Sequence, residues 1–150
     1  MSKNILVTGS GGIGGVNFVN ALKIAKREYI ISGTDFNKYY LELPNLDSKY
    51  RTPRHTDPKF LEKIKEIIDK DKIDFLHPSP HSEASVIAKE IDQINTATYL
   101  PRYDIIIRDK LQTQEILKRN DVPVAKTKTV NSLDEVESTK EKFRDEKVWV

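Results

Sequence analysis

The stretch ILVTGSGGIGG, residues 5–15, gives the clearest indication of the fold of this chain. Its apolar start predicts a buried strand, which runs directly into a loop that contains five of the six glycines. Apolar residues then recur at intervals of three: Ile13, Val16, Val19 and Leu22. This spacing predicts a helix over 13–27 with one buried face, and YIISGTD at 29–35 predicts a second strand. Together they make a βαβ unit with parallel strands and a right-handed crossover.

Strand and helix patterns continue to alternate as far as residue 101. The further predicted strands are IDFLHP (73–78), TATYLP (96–101) and a short one near Tyr50, within an otherwise irregular connection over 36–56. The further predicted helices are TDPKFLEKIKEIIDKDK (56–72) and SEASVIAKEI (82–91). We therefore predict an α/β fold, a Rossmann-like doubly wound parallel sheet, in which the loops after residues 8, 35 and 77 share one edge.

Two of these helices carry recognisable start signals. Asp57 can cap the helix of 56–72, Pro58 suits its first helical position, and an apolar stripe from Phe60 to Ile68 faces inward. Ser82 can cap the helix of 82–91 in the same way.

Composition and charge describe a globular chain with a highly charged surface. Twenty-five Lys and Arg against 23 Asp and Glu give a net charge of +2, which argues against nucleic acid or a membrane as partner. The absence of cysteine excludes disulfides and cysteine-based metal sites or nucleophiles. Because the sequence has no membrane-spanning apolar run and no signal peptide, we expect a cytoplasmic location.

The pattern changes after Asp104. Residues 104–120 predict one or two helical pieces and 122–130 an extended segment. Residues 132–143 predict a helix with a capping box of Ser132 and Glu135. Its inward residues are expected to be Leu133, Val136 and Phe143. The apolar run KVWV ends the chain at Val150, so we expect a longer natural protein, or a homodimer formed through this unpaired edge.

The glycine loop leaves three interpretations open. Gly9, Gly11 and Gly14 fit the dinucleotide pattern G-x-G-x-x-G, and Asp35 lies about 20 residues further on, where an acid would bind a ribose hydroxyl. Glycines also admit other anions to a helix N-terminus, or simply allow close packing. Against a short-chain dehydrogenase, none of the six tyrosines has a lysine four residues later.

Two other stretches resemble the ATP-grasp superfamily. They are DFLHPSPHSEA (74–84) and RDKLQTQEILKRNDVPVAKT (108–127). Asp109-Lys110, a helix and then NDVPVAKT is similar to the entry into the ATP-grasp fold, and HPSPHSE resembles the His-Pro…Ser-Glu loop of the biotin-carboxylase branch. With GTDFNKYY and YRTPRH, the run is most similar to carbamoyl-phosphate-synthase large-subunit-like proteins. These ligases join a carboxylate to an amine or related nucleophile through an acyl phosphate.

The resemblance implies a division of the chain and a set of site residues. Residues 1–108 would be the Rossmann-like pre-ATP-grasp domain and 109–150 the beginning of the ATP-grasp domain. The glycine loop would border the pocket of a small-molecule substrate. The implied substrate-binding residues are Ser10, Gly11, Gly12, Asp35, His81, Ser82 and Glu83. Lys110 would contact ATP, and no catalytic or metal-binding residue is assigned.

The resemblance also implies what this chain lacks. ATP and Mg²⁺ would serve the full-length protein, whose downstream ATP-grasp domain holds them, so we expect this chain alone to bind neither tightly and to be inactive. The alternatives are the cofactor domain of an NAD(P)-dependent epimerase or reductase, and a non-catalytic α/β module. Arg51, Arg54 and His55 could form an anion patch, although a solvated loop is favoured for them. A packed imidazole is favoured for His77.

Overall fold

A computed structural model describes residues 2–143 of the chain. It divides into two compact units, one ending at Ile107 and the other beginning at Arg108. The assignment of the second unit to an ATP-grasp domain stays a prediction.

The first unit is built on a four-stranded, all-parallel sheet. Its strands are β1 (Lys3–Thr8), β2 (Tyr29–Asp35), β3 (Ser48–Arg51) and β4 (Phe75–Pro78), in the order β3-β2-β1-β4. From β1 the chain moves outward to β2 and β3, and then returns to the other side of β1 for β4. This confirms the predicted α/β fold with a parallel sheet, and it places the point where the strand order reverses between β1 and β4.

Helices cover both faces of this sheet, because β1 carries apolar side chains on both of its faces. The helices of the first unit are α1 (Ile13–Lys23), α2 (Lys59–Lys70), α3 (His81–Lys89) and α4 (Tyr103–Ile106). Along β1, Ile5 and Val7 pack in one cluster with Val19 of α1, whereas Leu6 belongs to a second cluster with α2 and α3. A continuous apolar strand covered on two sides is typical of doubly wound sheets.

The helix α2 follows its predicted stripe. Phe60, Ile64, Ile67 and Ile68 are buried, and Leu61 packs beside them. The helix begins at Lys59, one residue after the predicted start at Pro58, and Asp57 Oδ1 accepts the Lys59 N–H at 2.9 Å. The short predicted strand near Tyr50 is β3.

The helix α1 differs from its prediction in length and in its buried face. It ends at Lys23 rather than residue 27, and Ile13 is 85% exposed although the three-residue spacing predicted it to face inward. The inward face instead includes Gly15 and Val19, which are four residues apart, with Phe18 and Leu22 beside them. A spacing of three drifts off a 3.6-residue helical face, so the first residue of the series lies outside it.

Two other predictions around α3 are wrong. Residues 96–101 form no strand: Ala97 makes a single isolated bridge to Phe75, and its carbonyl accepts the Leu76 N–H at 2.9 Å. Pro101 has no N–H to extend such a ladder. The helix α3 begins at His81 after Pro80, and no side chain caps it, so Ser82 lies within its first turn.

The second unit contains two helices, α5 (Lys110–Arg119) and α6 (Leu133–Lys142). Ser132 Oγ accepts the Glu135 N–H at 3.2 Å, and Glu135 Oε2 accepts the Asn131 N–H at 2.7 Å. The predicted capping box therefore forms with its return bond shifted by one residue. Leu133 is 83% exposed, against its predicted inward position, because it lies at the first helical position of α6.

Two further predictions concern the chain beyond α5. The segment 122–130 forms neither helix nor strand, and the KVWV run lies outside the described residues. No helix in the described part of the chain is long and apolar enough to cross a membrane.

Candidate functional site

The glycine loop lies at the carboxyl end of β1, beside the connection from β4 to α3. Gly9 has φ +55°, and a Cβ built there would lie 2.1 Å from Pro80 Cγ. A Cβ on Gly14 would lie 3.0 Å from Ser79 Oγ. Glycine is therefore required at Gly9 by both backbone conformation and space. This placement confirms the predicted neighbourhood of the two loops.

The connection after β2 covers the glycine loop from the other side. A Cβ on Gly11 would lie 2.4 Å from both Cβ and the carbonyl oxygen of Tyr40, in a 3₁₀ helix over Tyr40–Glu42. Close packing, one of the three open interpretations, thus accounts for glycine at residues 9 and 11.

Two amides of the glycine loop donate hydrogen bonds to β2. The Ser10 N–H donates to Thr34 O at 2.9 Å, and the Gly11 N–H donates to Asp35 Oδ2 at 3.3 Å. Asp35 Oδ1 accepts the Asn37 N–H at 2.9 Å, and Asp35 is 4% exposed. In a dinucleotide site the acid at this position binds a ribose hydroxyl. Here its carboxylate ties the glycine loop to the connection after β2.

A buried polar cluster lies beneath the glycine loop. We define it as Thr8, Ser10, Thr34, Asp35 and Glu83, each at most 5% exposed. Burial raises the pKa of Glu83 to about 7, while the nearby Thr8 hydroxyl opposes this rise and Asp35 adds to it. Glu83 Oε2 and the Thr8 and Thr34 hydroxyls do not reach full hydrogen-bond geometry with any described group. Most buried polar groups in proteins have a hydrogen-bond partner. The Thr52 and Thr98 hydroxyls lack one as well, outside this cluster.

The predicted substrate-binding residues lie at this edge in two layers. Gly12 and His81 are exposed and Ser82 is partly exposed. The buried layer consists of Ser10, Gly11, Asp35 and Glu83. A ligand at this edge would therefore contact the first group, while the second group holds the loops in place. Their role in substrate binding stays a prediction.

Three rings pack together beside the site, and the sequence analysis singled out only one of them, His77. Phe18 of α1 stacks on His77 with ring centroids 3.7 Å apart, and the Tyr99 hydroxyl hydrogen-bonds His77 Nδ1. Burial lowers the pKa of His77, which favours the neutral imidazole. The favoured packed role of His77 fits this arrangement. The contact between Tyr99 and His77 was not predicted, because residues 96–101 were expected to form a strand.

Lys110 occupies the first position of α5 in the second unit, where it is exposed. Asp109 caps the helix, its Oδ1 accepting the Gln112 N–H at 2.8 Å. Residues 2–143 contain no group of three or more His, Asp or Glu side chains that could hold a metal ion. The contact of Lys110 with ATP stays a prediction.

No protein-family model and no curated protein matches the chain, but solved structures do. N5-carboxyaminoimidazole ribonucleotide synthetase from Thermotoga maritima is 20% identical, with a TM-score of 0.56 over 94% of this chain and 36% of its own. The biotin carboxylase subunit of pyruvate carboxylase is 20% identical, with a TM-score of 0.55 over 95% of this chain and 33% of its own. L-amino acid ligase from Bacillus licheniformis is 13% identical, with a TM-score of 0.60 over 95% of this chain and 42% of its own.

These three proteins are ATP-grasp enzymes, and their N-terminal domain has the fold described above. The fold expected from the resemblance to that superfamily is therefore confirmed. The chain spans between 33% and 42% of the length of these structures.

Proposed function

We propose that this chain supplies the substrate-side domain of an ATP-dependent carboxylate–amine ligase of the carbamoyl-phosphate-synthase-like type. One observation carries the proposal: the glycine loop and the start of α3 meet where the strand order reverses, in a fold shared with ATP-grasp enzymes. Open parallel sheets bind their ligands at that point. The acceptor carboxylate would lie there, against Gly12 and His81.

The chemistry of such a ligase requires more groups than the described residues contain. A carboxylate oxygen would attack the γ-phosphorus of ATP and release ADP, and an amine would then attack the acyl carbon and release phosphate. Phosphoryl transfer depends on positioning and charge neutralisation. Lys110 would contribute one contact to ATP. The other contacts, and Mg²⁺, would belong to a following ATP-grasp domain of the complete gene product.

The experiment compares two lysines of α5 in the complete gene product. ADP release is measured with ATP, Mg²⁺, ammonia and a panel of small carboxylates, including bicarbonate and amino acids. We expect carboxylate-dependent ADP release, and we expect Lys110→Ala to raise the apparent KM for ATP. Lys118→Ala, which removes an exposed lysine near the other end of the same helix, should leave this KM unchanged. Equal effects of the two variants would contradict the role of Lys110.

The same assay on the 150-residue chain alone should show no turnover. One exposed lysine cannot hold a nucleotide, since surface charge pairs contribute roughly 0–1 kcal/mol. A steady metal-dependent ATPase activity of this chain that survives Lys110→Ala would contradict the proposed division of labour.

The alternative, an NAD(P)-binding domain, is disfavoured by the hydrogen bonds of Asp35. Both of its carboxylate oxygens already accept backbone N–H groups, so a ribose hydroxyl would have to compete with them. Titration calorimetry with NAD(H) and NADP(H) should therefore detect no binding. Micromolar affinity for either cofactor would favour the alternative over the ligase.

A further inference from the structure

A cleft lies at the carboxyl ends of β2 and β3, on the sheet edge that carries the glycine loop. It has a volume of about 420 Å³ and is lined by Phe36, Asn37, Lys38, Tyr39 and Arg51. This volume lies within the range of small-molecule sites. We call it the basic cleft.

Three positively charged side chains at the basic cleft contact a backbone carbonyl or an aromatic ring and no described carboxylate. Arg51 Nε donates to the Phe36 carbonyl at 3.2 Å, and the Arg54 guanidinium lies 3.9 Å from the centroid of the Phe36 ring. Lys38 Nζ lies 5.0 Å from the centroid of the Tyr39 ring. Within residues 2–143, none of the three forms an ion pair. Backbone and ring contacts orient these groups, and no described carboxylate contacts them directly.

Two acids on neighbouring elements have partners of their own. Asp35 pairs with Arg51 in the β2–β3 register, but its carboxylate oxygens accept the Gly11 and Asn37 N–H groups. Glu42, in the same connection, forms an ion pair with Lys49. Glu62 and Glu66 line a neighbouring cavity with Arg51 but form no ion pair with it, so the cations of the basic cleft can still bind an anion.

We propose that the basic cleft binds a phosphate monoester whose attached group is planar. An arginine fork and a lysine point charge together suit a phosphate dianion. The Tyr39 ring, 70% exposed, offers a face on which a planar group stacks. The substrate role of the cleft rests on the proposed function: Tyr39 lines the cleft, its neighbour Tyr40 lies against Gly11, and the cleft would hold the anionic end of the same substrate.

The test uses phenyl phosphate as the probe and the ¹⁵N-labelled 150-residue chain as the receptor. Chemical-shift titration should perturb amides over 36–39 and at Arg51. Phenyl phosphate should bind more tightly than inorganic phosphate, which lacks the ring, and more tightly than benzoate, which carries a single charge. Arg51→Gln and Lys38→Gln should each weaken binding roughly tenfold, as expected for losing a charge-assisted contact. Lys26→Gln, the same charge change at an exposed lysine outside the cleft, should leave the affinity unchanged.

Each outcome bears on the cleft independently of the ligase proposal. Undisturbed spectra of Arg51→Gln and Lys38→Gln outside the cleft would show that both variants fold. Equal affinity of these variants and Lys26→Gln, shifts confined to other residues, or no binding of phenyl phosphate would overturn the inference. Such a failure leaves carboxylate-dependent ADP release in the complete gene product intact, so the two proposals fail separately.

Discussion

Gly11 and Gly12 are neighbours in the glycine loop, yet the structure gives them different constraints. A Cβ on Gly11 would lie 2.4 Å from the backbone of Tyr40, which cannot move away as a flexible side chain would. A Cβ on Gly12 would find its nearest atom at 3.4 Å, and its φ of −71° suits any residue. The G-x-G-x-x-G pattern includes Gly11 and leaves the position of Gly12 open, in agreement with these constraints.

This contrast predicts opposite outcomes for two alanine substitutions. Gly11→Ala should lower the free energy of unfolding by roughly 1–3 kcal/mol, the usual cost of overpacking. Gly12→Ala should change it by less than about 0.5 kcal/mol. Urea unfolding of both variants checks the prediction, and equal destabilisation would mean that Tyr40 does not cover the loop as described.

The buried polar cluster predicts a dependence of stability on pH. Burial raises the pKa of Glu83 from its ordinary value of 4.5 to about 7. Between these two values the folded chain keeps a proton that the unfolded chain releases, so wild-type stability falls as pH rises through this range and levels off above it. Glu83→Gln removes that loss.

We therefore expect the stability of Glu83→Gln relative to wild type to increase from pH 5 to pH 7, by up to a few kcal/mol. Above pH 7 the difference should stay constant. Urea unfolding of both proteins at pH 5, 6, 7 and 8 measures it. A difference that stays flat across the whole range would show that Glu83 does not titrate as described.

At the scale of elements, α1 separates what periodicity predicts from what packing decides. Ile13 and Val19 belong to the same three-residue apolar series, but Ile13 is 85% exposed and Val19 is fully buried. Val19→Ala should cost roughly 2 kcal/mol of unfolding free energy through lost burial and a small cavity. Ile13→Ala should change it by less than about 0.5 kcal/mol. Thermal or urea unfolding measures both free energies. A larger loss for Ile13→Ala than for Val19→Ala would contradict the buried face described for α1.

Elements with strong local signals were predictable from the sequence. The stripe of α2 and the capping box at Ser132 depend on residues within a few positions of one another, so their patterns are visible locally. The failed strand at 96–101 has a β-type composition, but strand formation depends on a neighbour elsewhere in the chain. Only Ala97 reaches that neighbour, at Phe75.

At the scale of the whole molecule, the position of the candidate site followed from topology. Parallel strands bring their carboxyl ends to one edge, so the neighbourhood of the loops after β1 and β4 could be predicted. The contacts that give Asp35 its tethering role, and the ring platform of Phe36 beneath Arg54, join distant or irregular segments. No local pattern encodes those contacts, which is why the buried layer and the basic cleft required the structure.

Transfer of ¹⁸O from a labelled carboxylate to the released phosphate would reveal the proposed acyl-phosphate intermediate. An acyl phosphate joins the carboxylate oxygen to phosphorus, and its breakdown by an amine leaves that oxygen on phosphate. We expect the complete gene product, given ATP, Mg²⁺, ammonia and one labelled carboxylate of the panel at a time, to release phosphate with one ¹⁸O atom in at least one case. Phosphate free of label with every carboxylate, together with micromolar binding of NAD(H) or NADP(H), would contradict it.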